Sequence, residues 1–323
     1  MFNSKIIGVG AYTPSNVVSN EDLKKVVDTS DEWIKSRTGI HERRISTGEN
    51  TSDLAAKAAR VALDMANINS EDIDYIIVAT ITPDNYTPST ASMVQDKIGA
   101  RNASAIDINA ACTGFMYAME IANCLIKNGS YKNILIIGAE TLSKILDWND
   151  RATCVLFGDG AGAAVLTRTQ ERGIQSIITG SDGSKGASLV AQNLAMINPF
   201  INECKSINPY ITMNGGEVFK FATRIMEDSI RKVLNNAGVS LDEIDYIIPH
   251  QANYRIIEHV SKKLKIDISK FIINLDKYGN TSGASIPIAL AEAIELEKIK
   301  KGDKIVLVGF GGGLTWGSVL LEY

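Results

Sequence analysis

The sequence predicts a layered α/β fold built from two related halves, and three observations lead there. At 323 residues the chain is longer than one hydrophobic core usually organises. Short aliphatic runs at residues 76–80, 106–109 and 134–137 alternate with stretches of helical periodicity, the pattern of helices packed on a mixed sheet. The chain also repeats itself at one spacing. Glu71-Asp72-Ile73-Asp74-Tyr75-Ile76-Ile77 returns as Asp242-Glu243-Ile244-Asp245-Tyr246-Ile247-Ile248, an offset of 245 − 74 = 171 positions.

Taken in order, Lys5-Ile6-Ile7-Gly8 reads as a first strand. The helix-like stretch around Arg60, Leu63 and Ala66 has a counterpart around Arg231, Leu234 and Ala237. Ile134-Leu135-Ile136-Ile137-Gly138 has one in Ile305-Val306-Leu307-Val308-Gly309, again at the same offset. One acidic-then-aliphatic match is commonplace, whereas three in one register indicate duplication. The apolar pattern breaks at Thr167-Arg168-Thr169-Gln170-Glu171-Arg172-Gly173, which places the halves at residues 1–170 and 171–323. No flexible linker separates them, so a shared interface is expected.

Hydrophobic residues make up 45% and charged residues 22%, a balance that buries a large core and gives no reason for disorder. A net charge of -4 argues against a nucleic-acid binder, while a local basic patch could still meet an acidic partner. No apolar run approaches the roughly 18 residues a membrane span needs, and no secretory leader is evident. Cys112, Cys124, Cys154 and Cys204 lack metal-like spacing. A soluble, cytoplasmic protein without a metal is expected.

Chemistry concentrates in three segments. In Ile106-Asp107-Ile108-Asn109-Ala110-Ala111-Cys112-Thr113-Gly114-Phe115, a strand passes through a small-residue turn into a helix. A thiol at a helix N-terminus meets unpaired N–H groups and the positive end of the dipole, which favours the thiolate, and the small neighbours leave room for a thioester. A buried packing cysteine is the competing interpretation, and it suits Cys124, Cys154 and Cys204. His250 follows the strand Tyr246-Ile247-Ile248-Pro249, at a strand end where sites of layered α/β proteins form. His41 is expected in a surface loop and His259 in an ordinary helix. Asn280 lies in the turn Tyr278-Gly279-Asn280-Thr281-Ser282-Gly283-Ala284-Ser285, where a purely structural asparagine is the alternative. A sulfur nucleophile with imidazole and carboxamide donors could accept an acyl group and then hold a thioester enolate. The late run Gly309-Phe310-Gly311-Gly312-Gly313-Leu314-Thr315-Trp316-Gly317-Ser318 suits an oxyanion hole. Its glycine spacing is not that of a dinucleotide fingerprint, so no nicotinamide cofactor is expected.

With Asp28-Thr29-Ser30-Asp31-Glu32-Trp33-Ile34, Arg37-Thr38-Gly39-Ile40 and Phe157-Gly158-Asp159-Gly160-Ala161-Gly162-Ala163, these segments resemble beta-ketoacyl-acyl carrier protein synthase III of the thiolase-like superfamily, nearly from end to end. The resemblance implies a duplicated thiolase-like five-layer α/β/α/β/α fold and a homodimer. It implies that acyl-coenzyme A, a substrate, acylates Cys112, with the oxyanion held by the N–H groups of Cys112 and Gly312. His250 and Asn280 then stabilise the enolate formed as malonyl-acyl carrier protein loses carbon dioxide, and the product is a 3-oxoacyl-acyl carrier protein. No metal or redox cofactor is implied. Elongating synthases carry a second histidine in place of Asn280, and thiolases a late second cysteine. Plant-type polyketide synthases and hydroxymethylglutaryl-coenzyme A synthases match the surrounding motifs less well.

The same resemblance assigns Trp33, Arg37 and Arg151 to coenzyme A. It assigns Lys220, Gln251, Ala252, Asn253, Tyr254, Arg255, Lys262 and Lys263 to the acyl carrier protein, although Lys262 and Lys263 alone would read as a solvated helix face. Thr87 corresponds to a primer-pocket floor contributed across the dimer, where threonine implies room for branched or medium primers beside acetyl. Residues 187–210 depart most from the family pattern. Two other readings stay open: an acyltransferase or thioesterase that does not condense, and a non-catalytic partner subunit, which would be expected to lack Cys112.

Overall fold

The computed structural model describes residues 2–200 and 206–323. Strands β1 (Asn3–Tyr12), β2 (Tyr75–Ala79), β3 (Ser104–Ile108), β4 (Asn133–Glu140) and β5 (Gly160–Thr169) form one sheet in the order β1-β5-β4-β2-β3. Strands β6 (Ile174–Ser181), β7 (Tyr246–Pro249), β8 (Lys304–Gly311) and β9 (Thr315–Glu322) form a second, in the order β7-β8-β9-β6. The sheets are wound alike. β2 is parallel to β4 and β4 antiparallel to β5, just as β7 is parallel to β8 and β8 antiparallel to β9. The place of β3 is taken in the second sheet by a single parallel bridge between Ile247 and Phe271.

Helices α1 (Asp31–Thr38), α2 (Thr51–Ala66), α3 (Thr90–Ile98), α4 (Gly114–Lys127), α5 (Gly215–Ala237), α6 (Tyr254–Leu264) and α7 (Ser285–Glu295) complete the layers. Strand alternation shows how the layers stack. In β4, Leu135 and Ile137 join the alanine-rich face of α2, while Ile134 and Ile136 turn toward α4 and α7. In β8, Ile305 and Leu307 share that central core, while Val306 and Val308 face α5 and α6. The order is therefore helices, sheet, α4 with α7, sheet, helices: the five-layer duplicated α/β fold. Strands covered on both faces have no polar side to show, which is why they read as continuous aliphatic runs.

The duplication reaches the helix starts that carry the chemistry. A 3-10 turn, Ala111–Thr113, leads into α4, and another, Ser282–Ala284, leads into α7. Both contain a non-glycine residue in the left-handed region, Ala111 (φ 48°) and Ser282 (φ 49°), at equivalent places in the repeat. The two turns pack against each other in the middle layer.

In the divergent segment, Leu189–Ala191 pairs antiparallel with Ile211–Met213, and Leu194, Met196, Ile197 and Phe200 are exposed. Cys204 lies outside the described residues.

Candidate active site

Cys112 sits in the first of these turns, 7% exposed. Its backbone presses on β8: a Cβ added at Gly311 would lie 2.8 Å from the Cys112 nitrogen and 3.2 Å from its Cβ, so a side chain at 311 would displace the nucleophile turn. The hydroxyl of Thr113 donates to Thr315 at 2.9 Å, and that of Thr315 lies 3.0 Å from the Gly312 carbonyl. The cysteine turn and the triple glycine are thereby stitched together. Gly309, two residues before Gly311 on the same side of β8, would meet the His250 Cβ at 3.2 Å. Cys112 and His250 thus flank one face of one strand.

The sequence reading favoured a thiolate at Cys112, and the structure reverses it. Burial pushes the thiol up to about 12, and the nearby Glu140 carboxyl adds to the rise. The Ser282 hydroxyl and the backbone N–H of Cys112 itself pull the other way but do not prevail. A short turn at the mouth of a helix supplies too little positive potential to offset removal from water.

His250 is fully enclosed, and burial pushes its imidazole down to about 3, so the ring is neutral at ordinary pH. Its Nδ1 lies 2.7 Å from the Ser285 hydroxyl. That hydroxyl oxygen already accepts the Gln251 N–H at 3.4 Å, which leaves its own proton to donate to Nδ1. The ring proton is then on Nε2, directed away from Ser285. Phe310 packs edge-on against the imidazole, with ring centroids 5.4 Å apart.

Asn280 is anchored through its backbone: its N–H donates to the Leu156 carbonyl at 2.8 Å, and its carbonyl accepts from Gly158 at 3.0 Å. This is the local purpose of the glycine-rich 157–163 motif. The Asn280 Oδ1 accepts the Ser282 N–H at 2.8 Å, so the amide NH2 is the end left to donate.

A cavity of about 1260 Å³ opens beside the sulfur, lined by Cys112, Ser282, Gly312, Phe157 and Leu189 and reaching Thr87. Thr87 is exposed and opens on the cavity of its own chain. His250 and Asn280 are not part of this lining, so the sulfur has an apolar chamber on one side and two nitrogen donors on another.

The other site residues fall into two groups. The Arg151 guanidinium stands 4.7 Å from the centre of the Trp33 ring and that of Arg37 at 5.4 Å. Ser30 opens the helix that carries Trp33, accepting its N–H at 3.1 Å. Lys220 on α5 and Tyr254, Arg255, Lys262 and Lys263 on α6 are exposed, with Lys262 paired to Glu258 at 3.0 Å. Asn253 joins the groups, donating to the Arg37 carbonyl at 3.0 Å while capping α6. Ala252 is half-buried beside it. Gln251 departs from its expected place on the carrier-protein face. It is 1% exposed, and its side chain donates to the Pro249 and Ile272 carbonyls and accepts from Asn274, so it holds the His250 strand rather than facing a partner.

His41 and His259 are exposed, in a loop and on α6. Cys154 is buried as read, whereas Cys124 is exposed on α4 rather than packed. Among the described residues, no group of three or more His, Cys, Asp or Glu side chains could hold a metal ion, and no helix is long and apolar enough to cross a membrane. The sequence reading missed Ser285, Ser282 and Glu140. The first two lay within the quoted Asn280 turn, and Ser282 is the repeat counterpart of Ala111, which was a usable signal.

Comparison with known proteins agrees with this geometry. Residues 106–183 match the family model described as 3-Oxoacyl-[acyl-carrier-protein (ACP)] synthase III, and residues 234–323 match its C-terminal model. The chain is 59% identical over 323 residues to a beta-ketoacyl-[acyl-carrier-protein] synthase III of Clostridium perfringens, covering 100% of both. It is 56% identical to that of Clostridium acetobutylicum, covering 100% of this chain and 99% of the other. The crystal structure of the 3-oxoacyl-[acyl-carrier-protein] synthase III from Aquifex aeolicus superposes with a TM-score of 0.93 at 51% identity, covering 99% of this chain and 100% of that one. The chain belongs to the 3-oxoacyl-[acyl-carrier-protein] synthase III family of condensing acyltransferases.

Proposed function

We propose that the chain starts fatty acid chains by a two-step reaction on one sulfur. Cys112 takes an acyl group from acyl-coenzyme A, and the acyl-cysteine is then attacked by the enolate formed as malonyl-acyl carrier protein loses carbon dioxide. The observation that carries this reading is the pair of aimed donors beside the sulfur. Ser285 fixes the His250 tautomer that donates from Nε2, and Ser282 fixes the Asn280 amide that donates from its NH2. An acyltransferase that passes its acyl group to water or an alcohol has no use for two such donors, whereas an enolate oxygen needs them when its negative charge develops. The N–H groups of Cys112 and Gly312 serve the tetrahedral oxyanions, consistent with the stitching of their turns. The test is carbon dioxide release from malonyl-acyl carrier protein in step with 3-oxoacyl product. Acyl transfer or hydrolysis without carbon dioxide release would overturn this reading.

Each substrate has its side of the sulfur. The primer chain enters the apolar cavity, while coenzyme A and the carrier protein approach over the Trp33 cluster and α6, which Asn253 holds together. Threonine at 87 leaves the far end of the cavity open, so isobutyryl-coenzyme A is expected to turn over within about tenfold of acetyl-coenzyme A, since one or two methylenes alter pocket binding by about 1–3 kcal/mol. A strict acetyl preference in a comparison of the two primers would contradict it.

The exposed cations of α6 meet an acidic carrier protein. Arg255→Glu is expected to raise the KM for malonyl-acyl carrier protein roughly tenfold, more so at low salt, and to leave acylation by acyl-coenzyme A near wild type. Equal losses in both half-reactions would count against this docking face. The working unit in this reading is a homodimer in the cytoplasm. The open edge at β3, where Ile106 is 43% exposed, is the surface that supports pairing of two copies.

A further inference from the structure

Acylation requires Cys112 to lose a proton, and the residues described so far provide no acceptor for it. His250 carries its proton on Nε2, while its Nδ1 accepts from Ser285. On the other side of the sulfur lies Glu140, the last residue of β4 and fully buried. Its carboxylate accepts the Thr82 hydroxyl at 2.6 Å, the Thr80 hydroxyl at 3.1 Å and the Ile81 N–H at 3.1 Å, and no cation pairs with it. Between carboxylate and sulfur stands Ser282, 1% exposed. Its hydroxyl reaches no hydrogen-bond partner of good geometry at rest, yet it is near enough to favour the ionised form of both Cys112 and Glu140. It also lines the cavity beside the sulfur. Neither a buried carboxylate without a cation nor a buried hydroxyl without a partner serves packing.

We propose that Glu140, acting through the Ser282 hydroxyl, receives the proton Cys112 loses when it attacks the acyl thioester and returns it to the departing coenzyme A thiolate. The proposal rests on the two-step reading above. As the Cys112 S–H bond breaks and the sulfur–carbon bond forms, the proton passes to Ser282 Oγ and the hydroxyl proton moves to a Glu140 oxygen. When the tetrahedral intermediate collapses, the bond to the coenzyme A sulfur breaks and the relay runs backward to protonate that thiolate. No proton is gained or lost overall, and no further reactant is required. Glu140 is a positioning residue in this scheme, because Ser282 alone touches the sulfur. Burial holds the Glu140 carboxyl up at about 7, against the pull of Thr82, Ile81, Ser282 and Thr80. This is the range in which a proton acceptor works best near neutrality. The titratable groups that face it are Cys112 and Lys144, the latter itself flanked by Asp84 and Asp159.

The test is the rate of Cys112 acylation by acetyl-coenzyme A, followed by quenched-flow mass spectrometry between about pH 5.5 and 9 on wild type, Glu140→Gln and Ser282→Ala. Wild type is expected to rise about tenfold per pH unit up to a plateau above neutrality. Both variants are expected to lose this limb and about 10² in plateau rate, with folding checked by thermal melts. If Glu140→Gln does not fold, Ser282→Ala decides. A folded variant that is slower but keeps the limb, or one within about threefold of wild type throughout, would overturn the relay. Absence of any Cys112 adduct in wild type would instead overturn the two-step reading itself.

Discussion

Cys112→Ala is expected to abolish the acyl-enzyme and to lower 3-oxoacyl product formation by at least about 10⁴-fold, the scale on which deletion of a covalent nucleophile acts. The change removes one buried sulfur from a turn held by its backbone contacts with Gly311 and by Thr113 and Thr315, so the fold is expected to lose only about 1 kcal/mol. The donors of His250 and Asn280 are untouched in this variant. Malonyl-acyl carrier protein should therefore still lose carbon dioxide slowly, uncoupled from condensation. Steady-state assays of both products check this, and condensation persisting within about tenfold of wild type would mean that another residue carries the acyl group.

The second large effect is expected from the donors. Asn280→Asp keeps the shape of the side chain but replaces the donating NH2 with an acceptor, and His250→Ala deletes the other donor. Each is expected to lower the condensation rate by about 10²–10³, the cost of removing one preorganised donor from an oxyanion, while acylation changes by less than about tenfold. The double variant should lose less than the product of the two, because the groups act on one oxygen. Single-turnover measurements with pre-acylated protein separate the half-reactions. A loss concentrated in acylation would assign these residues to a different step.

The sequence was most informative where pattern and packing obey the same rule. Period-two burial on both faces of β4 and β8 gave uninterrupted aliphatic runs, so the strands and their repeat could be read directly. The Cys112 turn, the strand end at His250 and the Asn280 turn were legible because each needs small residues at a strand-to-helix junction. What stayed hidden was governed by burial. The dipole argument for Cys112 pointed to a thiolate, yet desolvation of a thiol that is 7% exposed outweighs a short turn. Gln251, adjacent in sequence to exposed residues, points inward to satisfy three backbone groups. Glu140 ends an apolar strand, and no local pattern marks a carboxylate supplied by hydroxyls of residues 80 and 82 from a neighbouring strand end. Such contacts depend on layer stacking, which hydrophobic periodicity does not encode.

The central claim, one acylated sulfur serving two half-reactions, is tested most directly by mass spectrometry of the wild-type protein after acyl-coenzyme A alone and again after malonyl-acyl carrier protein. A single acyl group on the peptide that contains Cys112, discharged as 3-oxoacyl-acyl carrier protein when the second substrate arrives, is the expected result. An acyl group found on Cys124, Cys154 or Cys204, or one on Cys112 that survives the second substrate, would contradict it.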